Sequence, residues 1–219
     1  PSTGEDIKYR PFLVKEQKIL LMAQESKKDD EVVDAMSQLI NDCTFGKVDP
    51  KKCPMFDAEY IFLKLRAKSI GEKADIQVTC PDDEKTKVNV SVNIDEVECN
   101  ITDDHNNTIQ ITDNVKIVLG YPLLASFKNI TDKNQTKALF DMISSCVEEI
   151  HYGEDIYNKI DISNKELNEF IDSLDSQQFK KVSDFFETMP KLRHPIEVTN
   201  PETKVKSEIM LEGLQTFLA

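Results

Sequence analysis

The sequence is poor in glycine, in positive charge and in long apolar runs, and each shortage disfavours a class of function. Six glycines in 219 residues supply no Gly-rich loop of the kind that cradles a phosphate or a dinucleotide. A formal net charge of −13 disfavours general nucleic-acid binding and docking on anionic lipid, because both need a basic surface. No apolar run approaches the ~20 residues of a membrane span, and no secretion signal is recognisable. We therefore expect a soluble, non-secreted protein that binds neither nucleic acid nor membrane.

Cysteine and histidine are also scarce, at five and three residues, and their spacing indicates no site. No Cys-x-x-Cys pair exists, although a structural zinc usually takes ligands that arrive as close pairs. In "TCPDD" (79–83), at a predicted hairpin turn, Asp83 stands where a second cysteine would be needed. The histidines fall in predicted loops or helix ends, and no Gly-x-Ser-x-Gly motif is present. We expect no catalytic residue, metal or cofactor, and reduced, mostly buried thiols. An enzyme with an unrecognised site is a less favoured alternative.

Apolar residues recur with helical spacing in the first third of the chain. The first predicted helix covers 12–26. Asp29 or Asp30 caps a second helix, and a third runs from an N-cap at Asp57 to Gly71.

The apolar period then changes to the alternation of β-strands. Alternating residues at 76–80 and 88–94 flank a turn at 81–84, which predicts an antiparallel hairpin. Two further strands are expected at 97–101 and 109–111. The apolar run "NVKIVLGYP" follows them, and its secondary structure is left open.

Helical spacing returns at Asp132 and continues to Ile150. Ser163 and Glu166 form a capping box for the next helix, and one more helix follows. Alternation at 196–211 around an Asn-Pro-Glu-Thr turn predicts a second hairpin.

These blocks predict the α+β class, because helices and strands are segregated rather than alternating. The expected order is a helical N-terminal part, an antiparallel hairpin or small sheet, and a helical C-terminal part that ends in a β-hairpin. The break at Gly120–Pro122 suggests two parts, residues 1–120 and 121–219, with one continuous domain as the alternative.

The first and third helices carry more apolar residues than one buried face needs. From Ile19 to Ala23 five apolar residues run together, and at ~3.6 residues per turn they surround the helix. Either both helices are central elements of the chain's own core, or part of their surface binds a partner protein. In the second interpretation Arg10 pairs with a partner carboxylate, and Phe12 and Leu13 are apolar anchors. The full set of candidate partner-binding residues is Arg10, Phe12, Leu13, Ile19, Met22 and Phe62.

The same two helices carry a family resemblance. The segments "IKYRPFLVKEQKILLMAQES", "DDEVVDAMSQLINDCT" and "FDAEYIFLKLRAKSIGE", followed by a "VTCP" hairpin, resemble the baseplate hub assembly protein family of T-even-like contractile-tailed bacteriophages. The resemblance is strongest over residues 7–95.

The resemblance implies a non-enzymatic late protein, either structural or an assembly factor, that acts through protein–protein contacts. It implies the host cytoplasm as the place of assembly and the virion tail baseplate as a possible final location. The implied partners are other hub and tail proteins, with hub, tail lysozyme, tape-measure components and a homo-oligomer as options. The alternative from a different class is an acidic cytoplasmic adaptor or chaperone that binds one protein partner transiently.

Overall fold

The computed structural model describes residues 1–26, 28–99, 102, 104–129 and 135–217. Within them, six α-helices and three antiparallel sheets confirm the α+β class and the expected order of elements. The helices are α1 Val14–Ser26, α2 Asp29–Cys43, α3 Met55–Ile70, α4 Gln135–Cys146, α5 Asn164–Asp172 and α6 Ser176–Thr188. The strands are β1 Lys73–Thr79, β2 Lys87–Asn93, β3 Thr108–Thr112, β4 Val115–Leu119, β5 Val147–Tyr152, β6 Asp155–Asn158, β7 Arg193–Thr199 and β8 Lys206–Glu212.

The chain divides into two compact units. The first unit combines Pro1–Asn100 with Pro190–Ala219 and holds α1–α3 and the hairpins β1–β2 and β7–β8. The second unit, Ile101–Met189, holds the four-stranded sheet and α4–α6. Residue 120, after which the sequence suggested a division, lies inside the second unit, directly after β4.

Both hairpins of the first unit are confirmed, and their apolar alternation explains their registers. In β1–β2, Ile76 pairs with Val90 and Val78 with Val88. In β7–β8, Ile196 pairs with Ile209. A one-residue slip would turn each apolar row to the opposite face, so a buried face holds the register.

Helix α3 is central to the first unit and packs against α2 and the 3₁₀ helices Ile94–Glu96 and Leu214–Phe217. The predicted N-cap of this helix is wrong, because Pro54 occupies that position and Asp57 lies in the first turn. The Asp57 carboxylate instead accepts the backbone N–H of Ser2 at 2.9 Å. A carboxylate is also favourable in the first turn, where it faces unpaired N–H groups.

The second unit has the strand order β3-β4-β5-β6, with one face of the sheet against the helices. Ile109, Ile117 and Ile150 are neighbours across three strands and form one row on that face. The predicted capping box of Ser163 and Glu166 at α5 is confirmed. Helix α6 begins with a second one, formed by Asp175 and Gln178.

Two predictions need correction, and one strand was missed. The helix expected to continue to Ile150 ends at Cys146, and β5 follows at once, because Val147 and Ile150 pair with β4. The strand expected at 97–101 is not formed over its described residues: Glu98 makes a single bridge with Arg193. Strand β6 was not predicted, since all four of its residues are exposed and show no apolar alternation. The expected helix start at Asp132 lies outside the described residues.

Candidate partner-binding surface

The residues before α1 are fixed to the other helices of the first unit. The backbone N–H of Arg10 donates to the carbonyl of Cys43, at the end of α2, at 3.0 Å. The N–H of Phe12 donates to Ser69 Oγ, on α3, also at 3.0 Å. The Phe12 side chain is only 8% exposed. Helix α1 therefore starts from an anchored position.

An ion pair between the partly exposed Arg10 and the buried Glu16 closes the N-terminus of α1. Arg10 donates from Nη2 to Glu16 Oε1 at 2.7 Å and from Nη1 to Oε2 at 3.0 Å, which is a bidentate geometry. The N–H of Leu13 donates to the same carboxylate at 2.5 Å. Glu16 is 3% exposed, and the Arg10 guanidinium lowers the pKa of its carboxyl to about 2. The carboxylate that pairs with Arg10 is thus the chain's own Glu16, and not one from a partner as the sequence suggested.

Glu16 defines the buried side of α1. At about 100° per residue, Glu16, Leu20 and Ala23 lie within one narrow sector, and all three are buried. The apolar residues on the other sides of this helix remain exposed, so the first unit covers α1 on one side.

We call the exposed apolar set the α1 outer surface. It contains Val14 (81% exposed), Ile19 (37%), Leu21 (51%) and Met22 (59%), and Leu13 (54%) is exposed just before the helix. Lys15 and Lys18 are exposed on the same side of the helix, between these residues. The result is an apolar surface with a basic component on a chain whose formal net charge is −13.

The third helix, by contrast, is a core element. Phe62 is 1% exposed, and Leu63 and Leu65 are fully buried. Two interpretations of these apolar helices were open, a core element or a partner-binding surface. Helix α3 is a core element, whereas α1 still exposes apolar residues on its outer sides.

The structure places the six candidate residues in three kinds of environment. Ile19 and Met22 lie on the α1 outer surface and Leu13 is exposed just before the helix, whereas Phe12 and Phe62 are buried within the first unit. Arg10 is engaged with Glu16. Sequence reasoning missed Val14 and Leu21, although Leu21 lies inside the Ile19–Ala23 run that marked this helix.

A second exposed apolar group lies on the four-stranded sheet. Strand β6 pairs only with β5 among the described strands, so it forms an edge of the sheet. Tyr152, Ile156, Tyr157 and Ile160 are 48–91% exposed at or near this edge. Exposed apolar groups on an edge strand are typical of surfaces that bind other chains.

The "TCPDD" turn, singled out for zinc, is held by hydrogen bonds. Asp82 accepts the side-chain amide of Asn200 at 3.1 and 3.0 Å and the Thr203 hydroxyl at 2.5 Å, which joins the two hairpin turns of the first unit. Asp83 accepts from the hydroxyl and N–H of Thr86, and these bonds lower the pKa of its carboxyl. Both carboxylates thus have a structural role.

Histidines and cysteines form no reactive cluster in the described part of the chain. The His105 ring packs against both Tyr121 and Phe185, at ring-centroid distances of 5.6 and 4.9 Å, and these two rings are themselves 5.8 Å apart. His151 and His194 lie in β5 and β7, so their prediction as loop or helix-end residues is wrong. The five thiols are free and buried. Over the described residues, no three His, Cys, Asp or Glu side chains come together as metal ligands would.

None of the described helices has both the length and the apolar character needed to cross a membrane. Among known families, the model described as T4 bacteriophage base plate protein matches the chain over residues 1–219. No curated protein and no solved structure matches it significantly. Because the family match covers the whole sequence, the chain belongs to the T4 bacteriophage base plate protein family.

Proposed function

We propose that the protein is a non-enzymatic component of the baseplate hub and that the α1 outer surface binds another baseplate protein. The observation that carries the proposal is the exposure of Val14, Leu21 and Met22 on a helix whose other side is firmly anchored. Large exposed apolar groups on one surface usually mark a protein–protein contact.

The chemistry of this surface indicates what its partner presents. Apolar side chains at helix spacing fit a hydrophobic groove or a second helix. Lys15 and Lys18 are exposed between them, so a partner with carboxylates at the rim of its groove would be complementary. Leu21 and Met22 supply the central apolar contact in this arrangement.

The hub assignment and the site of action follow from the sequence resemblance and extend the family membership. We infer that the chain is made late in infection and assembles in the host cytoplasm with hub, tail lysozyme or tape-measure components. The exposed edge of β6 offers a further contact surface, since an assembly protein commonly touches more than one neighbour.

Complementation with variants tests the α1 proposal. Host cells expressing Leu21→Ala/Met22→Ala are infected with phage lacking a functional copy, and the chain in purified baseplates is quantified by mass spectrometry. Losing an interface anchor costs about 2 kcal/mol or more, equivalent to roughly 30-fold in affinity. We expect incorporation to fall steeply while the melting temperature of the isolated chain stays near that of the wild type.

Ile70→Ala is the matched control, because Ile70 is 57% exposed at the end of α3, against 59% for Met22. It should assemble normally. Normal incorporation of the double variant would refute the α1 interface. Absence of the wild-type chain from finished baseplates, with binding to a single precursor, would instead favour the transient adaptor or chaperone.

A further inference from the structure

We propose that strand β6 pairs in antiparallel orientation with β6 of a second copy of the chain, so that the two four-stranded sheets join into one. The proposal names the occupant of the exposed β6 edge and goes beyond the contact assigned to α1. It concerns the second unit alone, and no residue of α1 takes part in it.

The two edges of the four-stranded sheet differ in how they are covered. At the β3 edge, Lys181 of α6 donates from Nζ to the backbone carbonyls of Gln110 and Ile111, at 2.8 and 3.2 Å. A lysine at this place closes the edge to another strand. At the β6 edge all four residues are exposed, and no backbone group of the described residues bonds to its outer side. Of the two edges, β6 is the one that remains open.

The turn that leads into β6 determines which way its backbone groups point. Tyr152 pairs with Asp155 across a two-residue turn, and Gly153 in this turn has a φ of 61°, as type II′ requires. The residues that close such a turn exchange both of their hydrogen bonds, and the bonding side alternates from one residue to the next along a strand. The N–H of Gly153 donates to the carbonyl of Asn114, just before β4, at 2.8 Å. It therefore points away from β6, as this alternation requires.

The same alternation leaves two residues of β6 with outward backbone groups. Asp155 and Tyr157 lie opposite residues of β5 and bond to them. The N–H and C=O of Ile156 and Asn158 consequently point away from the sheet. These are the groups that a fifth strand would bond.

A second copy uses all of these groups when the two-fold axis passes through the position of Tyr157. Ile156 then lies opposite Asn158 of the second copy, and the two residues exchange both of their backbone hydrogen bonds. The symmetric pair on the other side of the axis does the same. The contact is isologous, as in most homodimers.

The charges at the two ends of β6 favour this register and a second copy as the occupant. With the axis at Tyr157, Asp155 lies opposite Lys159 of the second copy on both sides of the axis, and opposite charges across strands are stabilising. Shifting the axis by one residue places Asp155 opposite Asp161 in one direction and opposite Tyr157 in the other. Neither shifted register pairs opposite charges.

Both charges are available for this pair. Asp155 is exposed and has no ion-pair partner among the described residues. Lys159 is 40% exposed, and its Nζ donates to the Ser145 carbonyl and to Glu148. Because an ammonium has three donors, one remains for the carboxylate of Asp155 in the second copy. The two existing bonds hold Lys159 at the end of β6.

The apolar side of the sheet ends at β6 in an exposed aromatic ring. Ile109, Ile117 and Ile150 form a row across three strands, and Tyr157 is the next residue in this row. Tyr157 is 48% exposed. In the proposed register the two Tyr157 residues face each other across the axis as a non-hydrogen-bonded pair, where side chains approach most closely. Aromatic pairs across strands stabilise a sheet, and the apolar row then continues through both copies.

Sedimentation equilibrium of the isolated full chain provides the first test. We expect a reversible monomer–dimer equilibrium with a dissociation constant on the order of 0.1 mM, because a four-residue strand forms a small interface. In hydrogen exchange, the amides of Ile156 and Asn158 should become protected as the concentration rises, whereas those of Asp155 and Tyr157 should be protected throughout. A chain that stays monomeric at about ten times that concentration would overturn the inference.

A proline at position 158 tests the backbone pairing. Asn158 has a φ of −82°, and its side chain makes no capping bond. Asn158→Pro therefore suits the local conformation and removes the outward N–H, so it should abolish the dimer without lowering the melting temperature. Asn158→Ala is the matched control, because it keeps the N–H, and it should dimerise like the wild type. Equal dimerisation of the two variants would contradict the pairing and overturn the inference.

Asp155→Lys tests the register. It places lysines opposite each other on both sides of the axis and should raise the dissociation constant at least about tenfold. Glu154→Lys is the control, because it makes the same change of charge one residue away, where the register places Ile160 opposite it. This control should not weaken the dimer, since it reduces the formal net charge of −13. Equal effects of the two variants would mean that general charge governs association, which would overturn the inference.

Assembly assays distinguish other occupants and separate this inference from the α1 proposal. Leu21→Ala/Met22→Ala should dimerise like the wild type, so failure of the α1 interface leaves the present result unchanged. Suppose instead that the wild-type chain is monomeric and that Asn158→Pro lowers baseplate incorporation. The β6 edge would then bind a strand of a different protein, and the second copy would be overturned as its occupant. Loss of the dimer in Asn158→Pro, with the dimer intact in Asn158→Ala and in Leu21→Ala/Met22→Ala, supports the inference.

Discussion

Replacing Arg10 by alanine would leave a buried carboxylate without its counter-charge. Glu16 is 3% exposed and accepts two hydrogen bonds from the guanidinium. In Arg10→Ala only the Leu13 N–H would remain of the three donors to this group. We therefore expect the start of α1 to loosen and the first unit to lose stability.

The magnitude follows from two independent estimates. Lowering the pKa of Glu16 from 4.5 to about 2 corresponds to about 3 kcal/mol, since one pKa unit is worth about 1.4 kcal/mol, and Arg10 is the largest of several contributions that include the Leu13 N–H and Lys15. Removing one partner of a buried ion pair costs about 3–5 kcal/mol. The Arg10 side chain is 29% exposed, so solvent screens the pair and reduces the effect. We expect a loss of about 2–3 kcal/mol near neutral pH.

The effect of Arg10→Ala on stability should depend on pH. A carboxyl with a lowered pKa in the folded state stabilises the fold above its unfolded pKa, and this contribution disappears as the pH falls toward about 2. The difference in unfolding free energy between the wild type and Arg10→Ala should therefore shrink on acidification below about pH 4.5. Urea denaturation followed by circular dichroism at several pH values measures this difference.

A double-mutant cycle with Glu16→Gln isolates the pair from other effects. Lys28→Ala is the control: it removes an ion pair with Glu31 that is exposed on both sides, so it should leave stability unchanged. A cost for Arg10→Ala indistinguishable from this control, or one that does not shrink in acid, would refute the buried-pair reasoning.

Three further measurements test the packing. Phe12→Ala should cost about 3–5 kcal/mol in urea unfolding, because Phe12 is 8% exposed; a cost below about 1 kcal/mol would contradict its burial. Burial raises the pKa of Glu59 to about 7, so its neutral form stabilises the fold at low pH and this contribution is lost as the pH rises through about 7. Glu59→Gln should therefore flatten the pH dependence of stability between about pH 4.5 and pH 7, and an unchanged slope would contradict the shift. Burial raises the pKa of Cys53 and Cys99 to about 12, so iodoacetamide should label them only on unfolding, and rapid labelling of the native chain would show that they are accessible.

Local sequence patterns predicted much of the fold because the physics behind them is local. The capping box at Ser163 and Glu166 requires only residues three apart. Both long hairpins follow from alternation across a short turn. Each of these elements can be judged from a window of a few residues.

Elements decided by distant partners were harder to predict. Val147 and Ile150 fit a helical stripe and a strand equally well, and pairing with β4 across about 30 residues selects the strand. Strand β6 has no apolar alternation and exists because β5 offers it an edge. Asp57 looked like an N-cap, but its environment depends on residues more than 50 positions away.

The candidate surface was predicted only in part, because the direction in which α1 is buried also depends on a residue outside the helix. Helix α1 was identified from the run of apolar residues beginning at Ile19, but the direction of its buried side was not. Glu16 is a charged residue on the core side of the helix, which apolar periodicity assigns to solvent. Its burial depends on Arg10, six residues earlier, outside any helical repeat.

This ion pair also links the stability of the first unit to its proposed interface. A helix that exposes Leu21 and Met22 binds a partner best when little conformational freedom remains to be lost on binding. The backbone N–H groups of Arg10 and Phe12 attach the segment before α1 to α2 and α3. The Arg10 side chain restricts the freedom of α1 by tying Glu16, in its first turn, to that segment. Arg10→Ala should therefore impair baseplate incorporation although Arg10 touches no partner in this arrangement, whereas Leu21→Ala/Met22→Ala should impair it without loss of stability. Incorporation of Arg10→Ala at the wild-type level, in a chain shown to be less stable, would separate the anchoring of α1 from its function.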